Sequence, residues 1–226
     1  MGLQTSVGEN TRQLEGFDSL GSGVDSASSG LVEEDLVRAH YYGLLSRVLA
    51  NPLSDQTLEI LRDPSMSGDD SVLGEVLSSI RDAAVITTRV KAVEEYTALF
   101  HGMGSGGEVQ PYLSFYLTGF VYEKPLAKLR QDLSEIGVIA SGVSKEPEDH
   151  IAFICEIMNG LIRGSYNNLN SLSRQKAFFI SYLAPWGISF FEDLESASSS
   201  SIYKPIGTLG KIFMAVESSA FEMVEK

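Results

Sequence analysis

The segment from Glu146 to His150 concentrates the residue types best able to bind a cationic ligand. It reads Glu-Pro-Glu-Asp-His, so three carboxylates and an imidazole stand close together. Carboxylates pair well with the planar fork of arginine, and the segment could therefore receive an arginine-bearing ligand. The alternative is structural, because acids complement the positive N-terminal end of a helix and Pro147 suits its first turn. Both interpretations place the segment where a loop enters a helix.

Two further segments place aromatic residues around a flexible turn. The first reads Tyr-Thr-Ala-Leu-Phe-His-Gly over residues 96–102, and the second reads Pro-Tyr-Leu-Ser-Phe-Tyr-Leu over residues 111–117. Most such residues belong to a core, yet a few at a loop junction could line an apolar groove for a peptide. The sequence leaves both roles open for them.

The turn between these segments, residues 102–107, is rich in glycine and invites comparison with a phosphate-binding loop. A P-loop follows a strand and carries the pattern GxxxxGK[ST], whereas this turn follows a predicted helix and contains no lysine. The pattern favours a turn that ends a helix over a nucleotide site. A nucleotide hydrolase that uses this turn is kept as an alternative function.

No other arrangement of residues points to catalysis or to a metal. The three histidines, His40, His101 and His150, are scattered without metal-ligand spacing, and no GxSxG nucleophile is present. The single cysteine, Cys155, lies in an apolar helical run that disfavours a thiolate. We therefore expect no enzyme activity, no metal and no cofactor.

Apolar residues that recur at steps of three and four predict that helices position these segments. The predicted helices cover about residues 31–51, 55–62, 72–100, 123–136, 147–161, 171–183, 186–195 and 203–225. No segment alternates convincingly as a strand does, so the predicted fold is all-α, a single compact domain of about seven or eight helices.

Four of these helices carry a predicted buried face. In the helix over 123–136 it holds Leu126, Leu129 and Leu133, and in the helix over 147–161 it holds Ile151, Ile154, Met158 and Leu161. In the helix over 72–100, this face holds Ile86, Val90, Val93 and Phe100, while Arg89, Lys91, Glu94 and Glu95 are expected mostly in solvent. In the last helix, the inward face holds Ile206, Leu209, Phe213, Val216 and Ala220. Residues 1–30 are rich in Gly and Ser without periodicity and predict a flexible N-terminal tail before a domain over 31–226.

The net charge of -13 excludes some classes of partner and favours another. It repels nucleic acid and anionic membranes, while it would speed the encounter with a basic peptide. The apolar runs are too short to span a membrane, and the N-terminus lacks the features of a secretory signal. A lone cysteine suits a reducing compartment, so we expect a cytoplasmic protein without stable membrane insertion.

The segments YTALFHG, PYLSFYL and EPEDH, in this order, resemble the TorD/DmsD/NarJ family of redox-enzyme maturation chaperones. Members typically show aromatic-x-x-Leu-Phe-x-Gly, then Pro-aromatic-x-Ser, then Glu-Pro-x-Asp-His. The likeness continues through Pro185-Trp186 and Phe190 to Tyr203, and it covers about residues 33–222.

The chain departs from the family pattern at two positions. Members often carry Gly-Pro where this chain has Gly102-Met103, and some carry Trp where it has Tyr112. These departures bear on the geometry of the turn and on which peptide the chain would prefer to bind.

The resemblance implies an all-α chaperone that binds the twin-arginine leader of a molybdoenzyme catalytic-subunit precursor. Such a chaperone assists cofactor insertion and proofreads the precursor before export; some relatives also bind guanine nucleotide weakly. A helical scaffold or regulatory protein is a further alternative, both a monomer and a domain-swapped dimer stay open, and the client enzyme is not identified. The expected peptide-binding residues are Tyr96, Leu99, Pro111, Tyr112, Glu146, Pro147, Asp149 and His150.

Two consequences are expected of this assignment. Replacing Asp149 with Ala should weaken leader binding without unfolding the domain. His150 either gives binding a pH sensitivity near its ordinary pKa or serves as a plain helix cap or packing residue.

Overall fold

The computed structural model describes residues 32–66, 71–102, 106–138, 146–166 and 171–224. These ranges contain ten α-helices and no strand. The helices are α1 (Glu33–Ala50), α2 (Asp55–Arg62), α3 (Val72–Ile86), α4 (Arg89–Tyr96), α5 (Leu113–Thr118), α6 (Lys124–Glu135), α7 (Ile151–Ile162), α8 (Leu172–Tyr182), α9 (Gly187–Ser196) and α10 (Tyr203–Met223). The predicted all-α class and single compact domain are confirmed, whereas the predicted tail over 1–30 lies outside the described residues.

Helix α7 forms the centre of the core. Nine of its twelve residues are buried, and it packs chiefly between α1 and α8. The predicted buried stripe of Ile151, Ile154, Met158 and Leu161 is confirmed. Cys155 is buried in the same helix, and burial raises the pKa of its thiol well above the ordinary value.

Helix α10 packs against α9 and α3. Its approach to α9 requires a glycine, because a Cβ at Gly207 would lie 2.9 Å from the carbonyl oxygen of Phe191. The predicted inward face of α10 is wrong at Val216, whose side chain is exposed, since its neighbour Glu217 points inward instead. The buried Glu217 carboxylate accepts from Arg38 Nε at 2.7 Å and from the Tyr42 hydroxyl at 2.9 Å, so an ion pair from α1 fixes the rotation of α10.

The predicted continuous helix over 72–100 is wrong, because the chain breaks after Ile86. Thr87 is extended and Thr88 caps α4 by accepting from the Lys91 amide at 3.3 Å. The guanidinium of Arg62 donates to the carbonyl of Thr87 at 2.7 Å, which satisfies a group left free by the break. This break, together with the short α5, explains why there are more helices than the sequence predicts.

The break also turns most of the predicted apolar face toward solvent, although Phe100 is buried as predicted. Ile86, Val90 and Val93 are exposed, whereas Glu95, expected in solvent, is buried. Its carboxylate accepts from the amides of Ser201 at 2.6 Å and Tyr203 at 2.9 Å. Glu95 therefore caps the N-terminus of α10 from a distant helix.

Within the described ranges, none of the helices is both long and apolar enough to cross a membrane.

Candidate peptide-binding site

The first aromatic segment, residues 96–102, lies mainly inside the protein. Tyr96 is 3% exposed and its hydroxyl donates to the carbonyl of Leu49 at 3.2 Å, while Leu99 is fully buried. A π-helical turn ends at Gly102, which adopts φ +58°. A Cβ there would lie 1.9 Å from the carbonyl oxygen of Gly106, so only glycine fits. This part of the turn has a structural role, and Met103 to Ser105 lie outside the described residues.

The second and third segments are joined by backbone pairing. Tyr112 and His150 form an isolated antiparallel bridge. Beside it, the Ile151 amide donates to the Pro111 carbonyl at 2.8 Å, and the Leu113 amide donates to the Asp149 carbonyl at 3.0 Å. The structure thus brings together two segments that lie more than thirty residues apart in sequence.

Asp149 is a buried support for α5 and is not an exposed carboxylate. Its side chain has no exposed area, and Oδ2 accepts from both the amide of Ser114, at 3.0 Å, and the Ser114 hydroxyl. Asp149 therefore caps the N-terminus of α5 from outside the helix. The other oxygen, Oδ1, is buried without a hydrogen-bond donor among the residues described. That Asp149→Ala weakens leader binding without unfolding the domain stays a prediction, but removing the carboxylate would leave two buried donors unpaired and should destabilise the fold.

His150 is the cap of α7. Its Nδ1 accepts from the Ala152 amide at 3.1 Å, and burial, with a smaller contribution from His101, lowers its pKa to about 3. The imidazole is therefore neutral near its ordinary pKa, and the capping interpretation replaces the expected pH sensitivity. Because His150 caps the helix, α7 begins at Ile151 and the buried Pro147 lies in the preceding turn, not in the first helical turn.

Tyr112 and Glu146 are the two expected site residues that retain partial exposure. The Tyr112 hydroxyl donates to Oε2 of Glu146 at 2.5 Å, and its ring meets His150 edge-on, with centroids 5.5 Å apart. Burial, and then the bond to Glu146, raises the pKa of Tyr112 well above the ordinary value. The other six expected residues, Tyr96, Leu99, Pro111, Pro147, Asp149 and His150, are buried.

An exposed apolar surface follows Tyr112 along the chain. We call it the α5 patch, and it consists of Phe115, Leu117, Phe120, Val121 and Tyr122, with exposed fractions of 37% to 69%. Tyr122, with φ +63°, is the one residue other than glycine with a positive φ in the described ranges. Backbone strain of this kind tends to occur at functional positions. Tyr112 is the N-cap residue of α5, so the patch starts on the helix that directly follows the Tyr112–Glu146 contact.

The sequence interpretation noted the aromatic density of this region but did not assign these residues to the site. The sequence carried no signal that separated these residues from core residues, because α5 itself was not predicted and their exposure depends on how this short helix docks.

The same fold occurs in a candidate redox enzyme maturation protein from Archaeoglobus fulgidus. The TM-score is 0.53 at 20% identity, and the match covers 79% of this chain and 94% of that one. In sequence, the chain is 25% identical to the chaperone protein TorD of Vibrio atlanticus over 191 residues, which covers 76% of this chain and 88% of TorD.

A family described as the nitrate reductase delta subunit matches residues 67–192, a range that contains all three motifs. The chain belongs to this family, the TorD/DmsD/NarJ family of redox-enzyme maturation chaperones. It is a maturation chaperone for molybdoenzymes and not an enzyme, which removes the hydrolase alternative.

Proposed function

We propose that the chain binds the twin-arginine signal peptide of a molybdoenzyme precursor in the cytoplasm and holds it until cofactor insertion is complete. One observation carries the proposal. Tyr112 is the partly exposed N-cap residue of α5 and its hydroxyl donates to Glu146, so a carboxylate is tied to the start of the helix that bears the first residues of the α5 patch. A twin-arginine leader needs both, because two guanidinium groups precede its apolar segment.

The carboxylates would orient the leader. Glu146 and Glu148 are the partly exposed acids of the third segment, and either can accept the fork of an arginine. The net charge of -13 would also speed the encounter with a basic segment.

The α5 patch would supply most of the affinity. Exposed ion pairs contribute about 0 to 1 kcal/mol each, whereas apolar burial contributes roughly 25 cal/mol per Å². A micromolar complex needs about 8 kcal/mol. A short apolar surface can provide this and still permit release to the export machinery.

The expected site residues then divide into two groups. Tyr112 and Glu146 would touch the peptide, while the buried Asp149 and His150 would hold α5 and α7 in place beneath them. Tyr96 and Leu99 would act only through the core.

The test is calorimetric titration of the purified chain with a synthetic peptide that carries two consecutive arginines followed by an apolar segment. We expect a dissociation constant on the order of micromolar. Replacing the arginines with serines should weaken binding, and so should Glu146→Gln in the protein. Glu59→Gln is the matched control, since it removes the same charge from an exposed position on α2.

Two results would refute the proposal. One is equal affinity for the arginine and serine peptides, which would show that the arginines are not recognised. The other is an equal loss of peptide affinity in Glu59→Gln and Glu146→Gln, which would show that only the overall charge of the protein matters.

A further inference from the structure

An arginine of the chain itself already binds a carboxylate of the candidate site. Arg130 on α6 donates to Oε2 of Glu148 through Nε at 2.8 Å and through Nη2 at 2.7 Å. The Arg130 side chain is 54% exposed, while that of Glu148 is 15% exposed. The guanidinium is therefore reachable from solvent, and the carboxylate is largely covered.

The surroundings of Arg130 match those that a ligand arginine would meet. The hydrogen bond to Glu148 is the main cause that raises the pKa of Arg130, and burial of the guanidinium opposes it. The charges of Glu148 and Asp149, and then Tyr122, raise this pKa further. Tyr122 belongs to the α5 patch, and Asp149 retains a buried oxygen without a hydrogen-bond donor in the described part of the chain. Arg130 is thus bonded to one acid of the third segment and interacts electrostatically with a second acid and with one residue of the α5 patch.

We propose that Arg130 is an internal competitor for the leader, occupying Glu148 in the free protein and giving way to a leader arginine on binding. The inference rests on the proposed function, because it requires an arginine-bearing ligand at this site. Either guanidinium can form the same hydrogen bonds to the carboxylate, so the exchange replaces one arginine with another at Glu148.

The competitor tunes affinity and does not block the site. Because Glu148 is largely covered, its pair with Arg130 belongs to the upper part of the range for surface ion pairs, about 0.4 to 1 kcal/mol. Removing the competitor should therefore strengthen leader binding by about two- to fivefold, given that 1.4 kcal/mol corresponds to a factor of ten. A weak competitor of this kind would favour release of the leader once the precursor has matured.

The variant that tests the inference is Arg130→Gln, and Lys128→Gln is its matched control. Lys128 lies on the same helix and pairs within it with Asp132 at 2.6 Å, so its loss removes the same charge without touching Glu148. Titration with the peptide of two arginines and an apolar segment should give about two- to fivefold tighter binding to Arg130→Gln than to Lys128→Gln. Arg130→Lys, which keeps the charge, should bind nearly as the unmodified chain does.

A double variant separates competition from other effects of Arg130. The double variant Arg130→Gln, Glu148→Gln should bind the peptide no more tightly than Glu148→Gln alone, because the contested carboxylate is absent. If the double variant binds more tightly than Glu148→Gln, the competitor role is refuted. It is also refuted if Arg130→Gln binds no more tightly than Lys128→Gln. Thermal unfolding of each variant checks that the fold is retained.

Failure of the proposed function gives a different pattern. If neither the unmodified chain nor any variant binds the peptide, there is no leader for Arg130 to oppose, and both proposals fall. If the unmodified chain binds and Arg130→Gln gains nothing, the competitor role alone fails.

Discussion

The first motif and the α5 patch both contain large apolar residues, but those of the motif lie in the core and those of the patch lie at the surface. Tyr96 and Leu99 are 3% and 0% exposed, whereas Phe120 and Tyr122 are 69% and 68% exposed. Resemblance to a chaperone family pointed to the first pair as peptide contacts. If the proposed function is correct, these family-motif residues build the binding surface from within the core and do not contact the ligand.

The largest expected effect comes from the buried side of this comparison. Leu99→Ala should lower the free energy of unfolding by about 2 to 5 kcal/mol, because it leaves a cavity in a fully packed core. Urea denaturation measures the change. Val90→Ala, in the neighbouring helix but 67% exposed, should stay within about 0.5 kcal/mol. A similar loss in both variants would contradict the assignment of Leu99 to the core.

Asp149 caps α5, the helix that bears the first residues of the α5 patch, and its removal should have the next largest effect. Asp149→Ala should destabilise the chain by about 1 to 3 kcal/mol, since the amide and hydroxyl of Ser114 lose their acceptor. Asp149→Asn keeps an acceptor oxygen and should be less severe. If Asp149→Ala weakens peptide binding while the urea midpoint stays unchanged, Asp149 acts on the ligand and not on the fold.

Helices with a regular apolar period could be predicted from the sequence. The stripe of α7 is correct, and since nine of its twelve residues are buried, almost every apolar position of this helix faces the core. Helix α6 buries only Leu126, Leu129 and Leu133, so there the steps of three and four do identify the inward face.

Features that depend on distant polar partners could not be predicted. The break at Thr87 relies on Arg62 of another helix, and the inward turn of Glu217 relies on Arg38, 179 residues away. Glu95 caps α10 across more than a hundred residues. From the local sequence pattern, a charged residue such as Glu95 is expected in solvent, and Thr87 is expected inside a continuous helix.

The candidate site was predictable as a region but not residue by residue. The motifs identified the segments that meet at the bridge between Tyr112 and His150. They did not indicate which side chains point outward, because exposure depends on how α5 docks. The Tyr116 hydroxyl donates to Asp193 on α9 at 2.6 Å, a contact that helps to leave the α5 patch uncovered.

The free energy of unfolding, measured as a function of pH, tests whether His150 is buried and neutral. Above about pH 6.5, its ordinary pKa, the His150 imidazole is neutral in both the folded and the unfolded protein. Between pH 6.5 and 3 it takes up a proton in the unfolded protein but stays neutral in the folded one. Stability from this group is therefore lost on acidification, by about 2 kcal/mol between pH 7 and 5. Protonation of Nδ1 would also abolish the bond from Ala152.

The variant His150→Asn keeps a capping acceptor and removes the titrating group. Its free energy of unfolding should fall by about 2 kcal/mol less than that of the unmodified chain over the same pH interval. If urea denaturation shows that both proteins lose the same unfolding free energy between pH 7 and pH 5, a buried, neutral His150 is contradicted.

The smallest effect on stability, and the clearest on binding, is expected in the α5 patch. Phe120→Ala should change the free energy of unfolding by less than about 0.5 kcal/mol, since the side chain is 69% exposed. It should weaken binding of the twin-arginine peptide by about tenfold, because the apolar segment of the peptide loses its contact with the ring. Ile86→Ala is the matched control, as Ile86 is 74% exposed and lies outside the patch, at the end of α3. If both substitutions weaken binding equally, general surface hydrophobicity explains the affinity and the α5 patch has no special role. If only Phe120→Ala does so, the exposed side of the comparison carries recognition and the buried side carries the fold.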